Sequence, residues 1–333
     1  MSEPVVSIIL PVRNGGGSWL REAVDSILGQ TLSELELLLI DDHSSDGAPQ
    51  ALDGLDSRLR LLRNPGRGLV DALNHGFAQA RGAMLARMDA DDVALPERLA
   101  AQLDYLAEHP EVDICAARVR IEGPLAQAGS RRYEDWLNSL TEPAAIEREL
   151  FVESPLPHPS VLLRRRAWDA LPGYRDGPDP EDYALWLEAA RRGMRFGKPQ
   201  PVLLLWRDHA GRLTRSDARY GSDRFLALKV RHLLGWRAAG RRLWIWGAGP
   251  GGRALHDALV AAGGAVEAFV DVHPRRIGGL KRGLPVRPLQ AVLERPPQSL
   301  VLVAVGSPGA RTNIRAWCAQ RELVEGEDYL FAA

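Results

Sequence analysis

Over the first ~120 residues, short apolar runs alternate with amphipathic segments, the pattern of a largely parallel α/β sheet with helices on its faces. Residues 5–10, 35–40, 60–62, 84–88 and 112–119 read as strands. Pro11 should stop the first, and Asp41 and Asp89 end the second and fourth. Leu20, Ala23, Val24, Ile27 and Leu28 recur at i, i+3, i+4, i+7 and i+8 behind Ser18, which predicts a helix capped by that serine. Leu69, Val70, Leu73 and Phe77 give a second helix its inner face. Pro96 suits the first position of a third, running to about His109.

The signal weakens over 122–156, with one helix around 143–150. It returns as a strand at 160–163, a helix over 182–192 ended by Gly193, and a strand at 201–206. Residues 217–234 form a basic helix, and 235–240 read as a linker. The strand–helix alternation then restarts: strand 243–246, a glycine turn, helix 253–261, strands 266–270 and 300–305. The expected organisation is a main α/β domain over 1–215, a basic helix and linker over 216–240, and a small α/β module over 241–333.

The 333 residues suffice for two domains, and a hydrophobic fraction of 45% excludes global disorder. Lys+Arg (42) and Asp+Glu (43) nearly cancel, which argues against nucleic acid as a partner. Two cysteines, Cys115 and Cys318, lack metal-ligand spacing and fit a reducing compartment. From Met1 the chain runs into a strand with no signal-peptide pattern, and no apolar run approaches the ~20 residues of a membrane span. A soluble, cytoplasmic protein is the expectation.

Three acidic clusters change the picture. Asp89-Ala90-Asp91-Asp92 leaves a buried strand; Asp41-Asp42 follows an earlier one; Glu181-Asp182 opens a helix. An Asp-x-Asp loop can hold a hard divalent cation, Mg²⁺ or Mn²⁺, by oxygen and leave positions open for a diphosphate. Transfer of a sugar from a nucleoside diphosphate needs recognition of base and ribose, neutralisation of the leaving group, and a base facing the acceptor hydroxyl. Candidates stand at carboxyl ends of strands, where open α/β sheets bind ligands. Pro11, Arg13 and Asn14 lead into Gly15-Gly16-Gly17. Asp41 or Asp42 can accept from a ribose hydroxyl or a base N–H, and Asn64 and Arg67 precede a helix N-terminus that favours anions. Asp91 is the metal ligand of choice, Asp89 reaches the ribose or a metal-bound water, and Asp92 supports the loop. Asp182 is the preferred base, with Glu181 second. Plainer readings stand beside these. Asp41-Asp42-His43-Ser44-Ser45-Asp46 also makes an ordinary turn, and Asn64-Pro65-Gly66 does too. Asp179, Pro180, Glu181 and Asp182 at N-cap, N1, N2 and N3 make a good helix start by themselves.

Val6-Ser-Ile-Ile-Leu-Pro-Val-Arg-Asn14, Leu39-Ile-Asp-Asp-His-Ser-Ser-Asp-Gly47, residues 64–74, Met88-Asp-Ala-Asp-Asp92, His158-Pro-Ser-Val161 and Glu181-Asp-Tyr-Ala-Leu-Trp-Leu187 occur in the order seen in family 2 glycosyltransferases of the GT-A fold. This ordered set, over residues 4–215, resembles that family. The resemblance implies a metal-dependent, inverting transfer from a nucleotide-sugar donor. It implies that Asp41 binds the nucleoside, Asp91 the metal, and that Asp182 is the catalytic base. Family members usually carry an aromatic residue where this chain has Arg13. They often place a basic or metal-liganding group at the position of His209, on a loop over the diphosphate. Arg207, Arg212 and Arg215 can pair with phosphate oxygens there, or form a solvated basic loop. His158 can line the donor or acceptor pocket, or be structural.

Gly247-Ala-Gly-Pro-Gly-Gly252 fits G-x-G-x-x-G between a strand and a helix. Asp271 ends the next strand near the spacing of a ribose-binding acid. The module, about 93 residues from 241 to 333, is short for a dinucleotide fold of six strands. With Gly247, Gly249, Gly252, Phe269-Val-Asp-Val272 and Gly283-Leu-Pro-Val286, it resembles the Rossmann-like sugar-nucleotide-binding domain of bacterial amino-sugar acetyltransferases, without their hexapeptide repeats. A second nucleotide or sugar nucleotide there, assembly, or ligand-free packing all fit. The basic segment 224–242 can touch an anionic inner membrane face carrying a lipid-linked acceptor, or be a solvated interdomain helix. The combined expectation is a glycosyltransferase of surface polysaccharide or O-antigen synthesis, with a glycan or lipid-linked acceptor. The alternative is an NAD(P)- or sugar-nucleotide-binding protein whose activity resides in the C-terminal module.

Overall fold

The computed structural model describes residues 3–307 and 309–333; the reading of the extreme N-terminus falls on Met1 and Ser2, outside the described residues. The chain divides into two compact units, Met1–Glu147 with Pro155–Arg219, and Arg148–Ser154 with Tyr220–Ala333. The second unit therefore takes in both the basic helix and a seven-residue segment from mid-chain.

In the first unit, β1 (Val6–Val12) and β2 (Leu35–Asp41) are buried along their whole length. Such unbroken apolar runs suit parallel strands covered on both faces. β3 (Leu59–Arg63) and β4 (Met84–Arg87) continue the parallel ladder. α1 (Trp19–Leu28) turns Leu20, Ala23, Val24 and Ile27 inward, and α2 (Leu69–Gln79) turns Val70, Leu73 and Phe77. Ser18 stands at the cap of α1, but its side chain bonds no backbone N–H of the helix.

β1 does not stop at Pro11. It continues to Val12, with Pro11 opposite Ile40. The Ile9 carbonyl accepts from Met88 N at 3.0 Å, so by alternation the absent Pro11 N–H also faces the β4 side. Pairing with β4 ends at Ile9–Arg87, and a donor at Pro11 is dispensable.

Then come β5 (Val93–Ala94), α3 (Arg98–Glu108), β6 (Ile114–Cys115), β7 (Arg118–Glu122), α4 (Ala128–Ser139), α5 (Pro143–Glu149), β8 (Leu162–Arg164), α6 (Arg165–Asp169), α7 (Glu181–Arg191), β9 (Phe196–Gly197), β10 (Val202–Arg207) and α8 (Leu213–Ser216). The main sheet has the order β3-β2-β1-β4-β8-β6-β9, with β8 antiparallel to both neighbours; β5-β10-β7 form a small second sheet. The strand expected at 112–119 is thus two strands in different sheets. α3 begins at Arg98, with Glu97 at its cap and Pro96 outside. Pro180 occupies the cap of α7, one place later than the spacing suggested.

In the second unit, α9 (Ser222–Gly235) precedes β11 (Arg242–Trp246), α10 (Pro250–Ala261), β12 (Val266–Val270), β13 (Leu280–Lys281), β14 (Leu284–Arg287), β15 (Ser299–Val303), α11 (Ala310–Ala319) and β16 (Tyr329–Phe331). Six strands do form, in the order β13-β14-β12-β11-β15-β16, because two belong to a short hairpin. Trp244, Trp246, Val270, Val301, Cys318 and Phe331 share a core with Val152 from the mid-chain segment. α9 is less one-sidedly basic than its sequence suggests, since Lys229 turns inward to the carbonyls of Val152 and Ala332 at 3.1 and 3.2 Å. Among the described residues, no helix is long and apolar enough to cross a membrane.

Candidate active site

Because β1, β2, β3 and β4 are parallel, the loops after them leave the sheet on one side. The first two are tied together: Asn14 Oδ1 accepts from Ser45 N at 2.8 Å, and Asn14 N donates to Ser44 Oγ at 3.0 Å. Asn14 holds φ 54, a left-handed conformation its short polar side chain tolerates. Arg13 and Arg67 point to solvent, and Pro11 is buried in the strand.

Asp41 and Asp42 are each 6% exposed and shape these loops. Asp41 accepts from Ser44 N and Gln50 Nε2, both at 2.8 Å; Asp42 accepts from Asn64 Nδ2 at 2.8 Å and Gly68 N at 2.9 Å. Burial of Asp41 works against its charge, but the Ser44 and Gln50 bonds outweigh it and hold the carboxyl below its usual range. Carboxylate oxygens carry further lone pairs, so a ribose or base donor can still be accepted.

The loop after β4 brings carboxylate oxygens of Asp89, Asp91 and Asp92 within 4.8 Å of one another. Asp92 Oδ1 accepts from Arg207 N on β10 at 2.8 Å, while its buried Oδ2 has no partner among the described residues. Burial, then the neighbouring Asp89 and Asp91 charges, push the Asp92 acid well up; burial likewise raises Asp89. Crowded carboxylates with an orphaned buried oxygen fit a hard cation. His209 Nε2 lies 2.8 Å from Asp91 Oδ2, so the histidine and aspartate picked out 118 positions apart meet. Trp19 packs on His209 with ring centres 4.5 Å apart.

The three arginines of the 207–215 loop differ. Arg207 donates to Asp91 O at 3.0 Å and to Glu22, and Arg215 is held by Asp208 at 2.6 Å. Arg212 lies over the Trp206 ring at 4.5 Å, within electrostatic reach of Asp89 and Asp92, and its guanidinium has no hydrogen bond among the described residues. It is the arginine best disposed toward an incoming phosphate.

At the start of α7, Glu181 is 2% exposed, with Arg219 at 3.7 Å and His158 at 3.9 Å. Asp182 is half-buried, and its Oδ1 accepts from Tyr183 N at 2.7 Å. Burial and the Glu181 charge push the Asp182 acid up to about 7, against the pull of Tyr183 N–H and Arg87. His158 is buried, bonded by Nε2 to Tyr174 Oη at 2.8 Å, and edge-on to Trp186. It packs against Trp186 of α7, and burial keeps it neutral.

Sequence reasoning missed the group that joins these parts. Arg87, 3% exposed on β4, donates to Asp89 Oδ1 at 2.6 Å and acts electrostatically on Asp182, Glu181 and Tyr174. A lone charge within Ala83-Met84-Leu85-Ala86-Arg87-Met88 was the available signal.

In the second unit, Gly247 takes φ 116, and a Cβ on Gly252 would lie 1.7 Å from the Gly247 carbonyl. Gly249 caps α10. Asp271 accepts from Ala248 N at 2.9 Å, His273 N at 2.8 Å and Arg276 Nη1 at 2.9 Å. Its carboxylate thereby ties the glycine turn to the segment that follows β12.

The model of Glycosyl transferase family 2 matches residues 7–170. A protein of Bacillus subtilis (strain 168) named as glycosyltransferase EpsE is 30% identical over 230 residues, spanning 67% of this chain and 80% of its own. The O-antigen biosynthesis glycosyltransferase WbnJ of Escherichia coli is 27% identical over 213 residues, 62% of this chain and 80% of its own. Among solved structures, S. aureus TarS 1–349 in complex with UDP-GlcNAc superposes with a TM-score of 0.55 at 18% identity, over 69% of this chain and 67% of that one. That likeness is one of fold, the GT-A fold.

Proposed function

This chain belongs to glycosyl transferase family 2 and is a glycosyltransferase with a nucleotide-sugar donor; from that premise we propose a metal-dependent, inverting transfer to a hydroxyl acceptor. The observation carrying the proposal is Asp182, half-buried and shifted to about 7, in the field of the same Arg87 that pairs with Asp89. An acid at that value is ionised often enough near neutral pH to accept a proton and basic enough to hold it. Asp182 removes the proton of the acceptor hydroxyl as that oxygen attacks the anomeric carbon from the face opposite the leaving diphosphate. Glu181, behind it, keeps Asp182 basic by repulsion.

Asp91, with Asp89 and His209, would hold Mg²⁺ or Mn²⁺, whose charge offsets that of the departing diphosphate. Arg212 supplies a second positive group toward those oxygens. Asp41, with Asn14 and the backbone about Pro11, offers acceptors and donors to the nucleoside, and Asp42 and Arg67 shape the neighbouring anion-favouring helix start. The similarity to WbnJ supports a role in surface polysaccharide synthesis, with a glycan or lipid-linked acceptor. That reading needs no second nucleotide at Gly247–Gly252.

The test is a panel of nucleotide sugars offered to the purified full chain with Mn²⁺. Binding and slow donor hydrolysis are expected, both suppressed by chelation. A chain that neither binds nor hydrolyses any of them is not the enzyme described.

A further inference from the structure

Beside the acidic cluster, α4, β7 and β10 with the 208–215 loop border an open cavity of about 370 Å³. Ile121, Tyr133 and Trp206 form its apolar walls, the two rings 6.4 Å apart and tilted by 42°. Ser130 and Thr214 also line it. Asp208, 4% exposed, brings a carboxylate whose Oδ1 is bound by Arg215 and whose Oδ2 has, among the described residues, only a long 3.4 Å contact from Ser130 Oγ. Arg212 lines the cavity and also acts on Asp89 and Asp92, so the cavity opens next to the proposed donor site.

We propose that this cavity seats a neutral pyranose ring of the acceptor glycan, a proposal that rests on the glycosyltransferase reading above. A pyranose has an apolar C–H face and a rim of hydroxyls. The tilted Tyr133 and Trp206 walls match the first, and the Asp208 carboxylate with Ser130 and Thr214 matches the second. Apolar walls with a few convergent polar groups are what a small-ligand pocket requires. A phosphate would draw on Arg212 alone, at the edge shared with the proposed donor site, because Arg215 is neutralised by Asp208 and the Asp208 carboxylate would repel it. A lipid chain would leave the buried carboxylate facing hydrocarbon.

Saturation-transfer NMR on the full chain with methyl pyranosides of glucose, galactose, mannose and N-acetylglucosamine tests this. At least one should bind, and Tyr133→Ala and Thr214→Trp should each weaken it about tenfold. Thr214 is exposed, so a tryptophan there fills the cavity without entering the core. Affinity for UDP- and GDP-sugars with Mn²⁺, titrated on the same samples, should move less than about twofold. No binding of any glycoside by the wild type, or unchanged binding in both variants, overturns the proposal. Equal loss of glycoside and nucleotide sugar assigns the cavity to the donor instead and overturns it as well. If the wild type binds no nucleotide sugar at all, the transferase reading fails separately, whatever the glycosides do.

Discussion

Arg87 is a full charge on a strand otherwise built from Met84, Leu85 and Ala86, and two of its nitrogens, Nε and Nη1, have no partner among the described residues. Its field lowers Asp182, so Arg87→Met should move the pH dependence of transfer to higher pH while leaving its shape intact. In the wild type, transfer should rise with pH through about 7, since Asp182 must lose its proton before it can accept one. Asp182→Asn should lower transfer by ~10²–10⁴-fold with donor affinity nearly unchanged, checked by initial rates beside nucleotide-sugar titration. Asp91→Asn should abolish saturable Mn²⁺ binding by calorimetry. Asp89, Asp91 and Asp182 stood out as candidates because acids at strand and helix ends contrast with apolar runs. Arg87 did not, because Asp89 is its neighbour but Asp182, the other group in its field, comes from a segment that only the fold brings near.

At the scale of elements, the all-buried β1 and β2 and the striped α1 and α2 form about where their periodicity places them. The misses have local causes. β5, β6 and β9 are two residues each, too short to show a period, and α4 carries few apolar residues. α4 is held instead by side-chain bonds: Asn138 exchanges hydrogen bonds with Val119 N and O, and Lys198 Nζ donates to Leu137 O at 2.8 Å and Pro155 O at 2.7 Å. Burial pulls Lys198 down to about 7 from an ordinary 10.5. Between those values the unfolded chain binds the extra proton, so this group's contribution to stability grows as pH rises. Relative to Lys198→Met, the wild type should gain up to about 1.4 kcal/mol per pH unit between pH 7 and 9, read from urea denaturation.

For the whole molecule, each unit has its own core and glycine-dependent close approaches. Gly252→Ala drives a Cβ into the Gly247 carbonyl and should cost the second unit about 3 kcal/mol. Loss of near-ultraviolet dichroism from Trp244, Trp246 and Trp317, with nucleotide-sugar binding retained, would report it. The restart of the strand–helix pattern after residue 240 was visible in sequence. The membership of Arg148–Ser154 was not, because a seven-residue segment carries no period of its own and its allegiance is set by distant partners.

That excursion bears on anyone who would make hybrids of this enzyme. Glu149 pairs with Arg311 and Arg315, Phe151 lies against Trp236, and Lys229 grips the Val152 carbonyl. A truncation after Arg219 would therefore strip the cover from Phe151 and leave Glu149 without its arginines. Exchange of the C-terminal module between homologues has to graft two stretches of polypeptide, and a single crossover yields a chimaera with greasy residues stranded in water.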